Sequence, residues 1–348
     1  MTVRPIGYYV HHHGAGHLAR ARAIARAADG RIVLLGTGIG ILGIDLADDR
    51  PHSGAFDGMD GAHSRPDGLH YAPLDHDGIR SRVAAITRWI ADHRPSLMVV
   101  DVSVEIAMLA RLASVPVIYV RLNGDRNDPP HLEAFRSAVG LLAPFHPDLE
   151  SSSTPQWVRE KTCYLPGITG AALPRSRNAQ PTILVVIGRG GEPGDGDALA
   201  RAADSCPQWD WRVIGPCSLP GKGRANLAIM GWVHDADRAI ADAALVIGAA
   251  GDGLVSAILS ADRPFICIPE DRPFGEQRAT AQRLHEVGAA LVLSAWPEPT
   301  RWPDVIAAAL ALQPDARRRL HDPDGARAAA RWIVKMAVDT RQAGEMAA

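Results

Sequence analysis

The chain reads as a parallel α/β protein built from two Rossmann-like domains, and three observations predict this. Short β-branched runs alternate with longer Ala/Leu/Arg stretches of helical period, the pattern of parallel strands joined by crossover helices. The alternation pauses at Ser/Thr/Pro-rich residues 151–155 and Pro/Arg/Asn-rich residues 173–181, then begins afresh. A length of 348 residues suffices for two domains of ordinary size, each with its own core.

In the first half, residues 5–10 read as a strand and 16–28 as a helix with Leu18, Ala21, Ile24 and Ala25 along one face. Strands follow at 31–35, 97–100, 117–120 and 141–143, and helices at 79–92, 103–113 and 133–139. Residues 36–68 are rich in Gly and Asp with little periodicity, so a long loop is expected there. In the second half, strands are expected at 182–187, 211–214, 227–230, 245–247, 264–268 and 290–293. Helices are expected at 198–203, 254–260 and 277–287, with a helical tail from 303 to about 343 broken near Pro314 and Pro323. The resulting division is 1–165 and 181–320 for the two domains and 166–180 for a linker. A C-terminal helical tail, 321–348, could pack back toward the N-terminal domain.

Composition excludes several classes. The 47% apolar and 22% charged residues are those of a globular chain, and a net charge of -2 gives no pull toward nucleic acid. Cys163, Cys206, Cys217 and Cys267 lack paired spacing, which argues against a disulfide framework or zinc site and fits a reducing cytoplasm. Gly14 and the histidines interrupt any apolar run after Val10, so no signal peptide is expected. No stretch approaches the roughly 20 apolar residues of a membrane helix. A cytoplasmic location is expected, with peripheral membrane contact left open.

Four segments carry chemistry. Gly14-Ala15-Gly16-His17 follows a strand and opens a helix. There the glycines let backbone approach a ligand, and an imidazole at the helix mouth can take a proton from a hydroxyl. A plain strand-to-helix turn with a capping histidine fits the same residues. Asp101 ends an apolar run, where a carboxylate could orient His17 or cap the next helix. Gly188-Arg189-Gly190, again at a strand end, suits a diphosphate. Residues 248–293 place small residues with Gly251, Asp252 and Gly253 at one strand end, and Glu276-Gln277 at the start of a helix after the next.

Two further patterns are set aside. His11, His12 and His13 are adjacent on a strand end, where successive side chains diverge, so no metal site is expected. Gly38-Ile39-Gly40-Ile41-Leu42-Gly43 matches the dinucleotide fingerprint, but Asp45, Asp48, Asp49 and Pro51 cut short the helix it should open.

Residues 10–25, with Gly-x-Gly-His and an Ala/Leu helix, resemble the N-terminal motif of glycosyltransferase families 1 and 28. Residues 248–293 resemble their donor-site block, and Gly231-Trp232-Val233 resembles the loop that holds the nucleotide base. The resemblance implies the GT-B fold, two Rossmann-like domains facing each other across a cleft. It also implies an inverting glycosyltransferase that takes a UDP- or TDP-sugar and needs no metal or other cofactor. Its acceptor would be a small molecule, a lipid or a glycan.

By that resemblance His17 would be the base and Asp101 its orienting carboxylate. Gly14, Gly16, Gly188, Arg189, Gly190, Trp232, Val233, Gly251, Asp252 and Gly253 would line the donor, and Glu276 and Gln277 would contact hydroxyls of its sugar. Ala249 stands where family 1 has a histidine, and Ala257 where a glutamate often holds the ribose; the first departure brings family 28 closer. A non-catalytic nucleotide-sugar-binding protein and a nucleotide-sugar 2-epimerase are the alternatives.

Overall fold

The structure, a computed structural model, describes residues 4–12, 15–50, 66–170, 173–176, 181–188 and 190–347. The chain divides into two compact units: Met1–Pro144, Ser153–Ile168 and Asp324–Ala348 form the first, and Phe145–Ser152 with Thr169–Pro323 the second.

The first unit runs β1 (Ile6–Val10), α1 (Ala15–Ala27), β2 (Ile32–Gly36), β3 (Gly43–Asp45), α2 (Asp77–His93), β4 (Leu97–Asp101) and α3 (Val104–Leu112). It continues with β5 (Val117–Val120), α4 (Pro129–Ser137), β6 (Gly140–Ala143), α5 (Gln156–Lys161) and β7 (Thr162–Tyr164). The second runs β8 (Thr182–Val186), α6 (Gly196–Ser205), β9 (Asp210–Ile214), β10 (Leu227–Gly231), α7 (Ala236–Asp242), β11 (Leu245–Gly248) and α8 (Asp252–Ala261). After these come β12 (Phe265–Cys267), α9 (Glu276–Glu286), β13 (Leu291–Val292), α10 (Trp302–Leu310) and α11 (Asp315–Arg319). The last helix, α12 (Gly325–Ala347), returns to the first unit.

In the first unit the strands form one parallel sheet of order β3-β2-β1-β4-β5-β6-β7. Its central strands are buried on both faces, hence their unbroken apolar runs. Alternation along β1 sends Tyr8 to one core and Tyr9 to the other. Tyr8 joins Ala21 and Ile24 of α1 and Ala330 and Ile333 of α12, where alanines let the two helices approach closely. Tyr9 joins Trp89, Ala107 and Phe135 from α2, α3 and α4. The second unit has a parallel sheet of order β10-β9-β8-β11-β12-β13, with Trp211 set edge-on to Trp302 at 5.4 Å in its core.

Several short elements are absent from the sequence reading: β3, β7, α5 and α7. Each is seven residues or fewer, too short for a periodic pattern to show. Within the expected loop at 36–68, the fingerprint-like glycines form only a 3-10 turn, Gly40–Leu42, before β3, and residues 51–65 lie outside the description. No helix among the described residues is long and apolar enough to cross a membrane.

Both sheets reverse their winding once, between β1 and β4 in the first unit and between β8 and β11 in the second. In open α/β sheets ligands bind outside the carboxyl ends of strands at such points. His17 and Asp101 stand at the first of these places and Gly188, Gly251, Asp252 and Gly253 at the second, whereas Trp232 and Val233 follow β10 and Glu276 and Gln277 follow β12.

Candidate active site

In the first unit, α1 carries His17 and Arg20 three positions apart on one helix face, and β4 ends at Asp101. Asp101 is fully buried and accepts from three side chains. Its Oδ1 accepts from His17 Nδ1 at 2.9 Å and Arg20 Nη2 at 2.9 Å. Its Oδ2 accepts from Arg20 Nε at 3.2 Å and the Tyr8 hydroxyl at 3.2 Å. Burial alone would push the carboxyl up, but the Arg20 charge, His17 and their hydrogen bonds outweigh it and hold Asp101 well below the usual carboxylate range. Burial, followed by the Asp101 charge, raises the Tyr8 hydroxyl far above the ordinary phenol, so Tyr8 stays a neutral donor.

Arg20 Nη2 also stands 3.0 Å from His17 Nδ1. Because a carboxylate can only accept, the contact with Asp101 calls for a proton on Nδ1, and the tautomer that meets it carries its lone pair on Nε2, the nitrogen a proton acceptor needs. Asp101 is not the cap of α3, because Ser103 Oγ accepts from Ile106 N at 3.3 Å and does that job. Between them lies Val102 with φ of 52°, a left-handed β-branched residue. The Tyr119 hydroxyl, donating to Val102 O at 2.6 Å, holds that turn and with it the carboxylate.

Sequence reasoning named His17 and Asp101 but missed Arg20 and Tyr8. The available signal was an arginine at i+3 from the histidine, beside the apolar face of α1. It also missed a second set on the opposite side of β1. There Arg82, 1% exposed, donates to Tyr9 Oη at 2.6 Å and Asp49 Oδ1 at 2.9 Å, and His12 Nδ1 stands 3.2 Å from that same Asp49 oxygen without hydrogen-bond alignment. Burial lowers the His12 pKa. His13 and Gly14 lie outside the described residues, and Gly16 is in the first turn of α1.

His70, Asp128 and His131 form a third cluster, with ligand atoms within 4.8 Å of one another. Both histidines bond to the carboxylate of Asp128, and Arg126 Nη1 lies 3.2 Å from His131 Nε2. A metal on His131 Nδ1 would force the ring proton onto Nε2, against the guanidinium, so these residues fit a hydrogen-bonded set better than an ion site. Burial pushes His131 down to about 4. The native state therefore binds fewer protons than the unfolded state between pH 6.5 and about 4, and stability falls as the pH drops through that window. The expected loss is on the order of 3 kcal/mol. Denaturant unfolding across that range measures it, and His131→Gln, which keeps a donor and an acceptor, should flatten the profile.

In the second unit the ends of β8, β11 and β12 carry the donor candidates. Gly251 is the N-cap of α8 and supplies no capping side chain, with Asp252 and Gly253 in the first turn. Gln277, 5% exposed in the first turn of α9, accepts through Oε1 from Ala250 N at 3.2 Å and Glu270 N at 2.9 Å. It thus ties the segments after β11 and β12 together. Arg189 lies outside the described residues. A different cation meets the glycine turn: Arg272 donates to Gly190 O and, at 2.9 Å, to Glu270 Oε2. Gly188 ends the approach from β8, and Glu276 opens α9. At the end of β10, Gly231 has φ of 64° and turns the chain so that Trp232 is 52% exposed, followed by half-buried Val233.

The two alanines noted in the sequence differ in setting. Ala249 is half-buried on the segment after β11. Ala257 is buried where Gly170 crosses α8, so near that a Cβ on Gly170 would stand 2.9 Å from Ala257 Cα. Ser256 Oγ, donating to Thr169 O at 2.6 Å, fastens that crossing.

Residues 215–315 match the family model of the glycosyltransferase family 28 C-terminal domain, which covers most of the second unit's sheet. No curated protein sequence matches the chain. Among solved structures, the calicheamicin glycosyltransferase CalG4 superposes with a TM-score of 0.67 at 16% identity, over 97% of this chain and 99% of its own. Phytolacca americana UGT2, complexed with UDP-2-fluoro-glucose and pterostilbene, gives 0.63 at 14% identity, over 97% and 95%. The spinosyn rhamnosyltransferase SpnG, complexed with thymidine diphosphate, gives 0.59 at 17% identity, over 97% and 96%. At such identities the structural likeness is one of fold. The chain has the GT-B glycosyltransferase fold, and its residues 215–315 match the C-terminal domain of glycosyltransferase family 28.

Proposed function

We propose that the protein moves a sugar from a UDP- or TDP-sugar to a hydroxyl or amine of an acceptor, inverting the anomeric centre without a required metal. The observation that carries this reading is the His17–Asp101 pair: an imidazole with Nδ1 held by a fully buried carboxylate. His17 Nε2 takes the acceptor proton as the acceptor attacks the anomeric carbon, and Asp101 stabilises the imidazolium. Attack opposite the bond to the leaving diphosphate inverts the centre. The uncapped N–H groups of α8 meet the departing charge, so helix and side-chain donors serve where a metal would otherwise be needed. The two structural neighbours that hold thymidine diphosphate and a UDP-sugar support a pyrimidine donor.

The test is thermal stabilisation of the protein by UDP, TDP, GDP, NAD and nucleotide sugars, followed by product analysis with the sugar that binds. A ligand at about 100 times its dissociation constant adds about 2.7 kcal/mol, an easily seen shift. Stabilisation by one pyrimidine diphosphate and its sugar, with none from NAD, is the expected result. A melt unmoved by any nucleotide would remove the donor assignment and point to the losses at Ala249 and Ala257 as the cause.

A further inference from the structure

The amide of Gln277 has one end fixed and the other open. Its Oε1 already accepts two backbone N–H groups, from Ala250 and Glu270. Only the carbonyl end of an amide can accept, so these two donors settle which way the group points. Nε2 then faces the other way and makes no hydrogen bond among the described residues. It lies 3.9 Å from where a Cβ on Gly251 would stand, beside the N-terminus of the ten-residue helix α8. The residue is only 5% exposed, so a strong acceptor at this end would gain from the shielded setting.

We infer that Gln277 is a phosphate-contact residue of the donor site: Oε1 fastens the segments after β11 and β12 to each other, and Nε2 donates to a diphosphate oxygen at the start of α8. This rests on the donor reading above and departs from the expectation that Gln277 touches sugar hydroxyls. Both a hydroxyl and a phosphate oxygen can accept from such an end, but the anionic phosphate oxygen is the stronger acceptor and never competes as a donor. The uncapped first turn of α8 adds further donors and positive potential at the same place.

The experiment is calorimetric titration of the full chain with UDP, TDP and their glucose esters, comparing wild type with Gln277→Glu and Gly251→Ala. A glutamate keeps oxygens for both backbone N–H groups and turns the open end anionic. Affinity for the free diphosphate and for its sugar ester should then fall together, by about tenfold or more. Gly251→Ala should fold normally, because φ is -67° and the nearest atom is 3.9 Å away, and its methyl should weaken both ligands by crowding the same spot. A loss confined to the sugar ester would show that the amide reads the sugar and overturn the inference. So would unchanged affinity in Gln277→Glu or, if that variant does not fold, in Gly251→Ala. A wild type that binds neither UDP nor TDP removes the donor reading itself, an outcome distinct from tight binding that the variants leave untouched.

Discussion

Replacing His17 with alanine is expected to slow sugar transfer by about 10²–10⁴-fold while leaving donor binding nearly intact. The size follows from what is lost. Without the imidazole the acceptor's proton must leave to water while its oxygen or nitrogen attacks, and general-base assistance of that step is worth about this factor. The selectivity follows from place: His17 is on α1 of the first unit, whereas all the donor candidates except Gly14 and Gly16 are in the second. The measurement is initial rate at saturating donor together with donor affinity by titration. Wild-type turnover in the variant would end the base assignment. A parallel collapse of donor affinity would instead mark His17 as part of the donor site.

Asp101→Asn is expected to damage both stability and rate. Arg20 is 2% exposed and faces the Asp101 carboxylate through three hydrogen bonds. Neutralising that carboxylate takes a counter-charge away from a buried guanidinium, and breaking a buried pair in this way costs about 3–5 kcal/mol. Turnover of the folded fraction should fall by about 10²-fold or more, since the amide neither orients Nδ1–H as firmly nor stabilises an imidazolium. Denaturant unfolding reads the first effect and single-turnover rates the second. The pairing of Asp101→Leu with Arg20→Met separates them: apolar replacement of both partners should recover most of the stability and none of the rate. Unchanged stability in Asp101→Asn would show that Arg20 is held by other groups, and the account of the buried pair would fall.

Much of this was legible in the sequence because it depends on local pattern. The period of Leu18, Ala21, Ile24 and Ala25 marks a helix face, and apolar runs such as 97–100 mark strands buried on both sides. A glycine turn between strand and helix marks a ligand edge. Elements such as β7 and α7 escaped because three to seven residues carry too little periodicity, and pairing with neighbours is what makes them regular. What Asp101 does could not be decided from its place after a strand, since a cap and an orienting carboxylate look alike in sequence. In the structure Ser103 takes the cap, and Asp101 bonds His17 and Arg20 instead.

The sequence by itself therefore determined the α/β class, the division into two Rossmann-like parts and the identity of His17 and Asp101 as candidates, because period and turn chemistry act over a few residues. Only the tertiary structure decided which groups meet. The Asp101 pocket joins residues 8, 17, 20 and 101 from two strands and a helix, and the Gln277 amide joins backbone at 250 and 270. These contacts exist because parallel strands, brought together by their crossover helices, align carboxyl ends that lie far apart along the chain. Spacing along the chain does not encode that alignment.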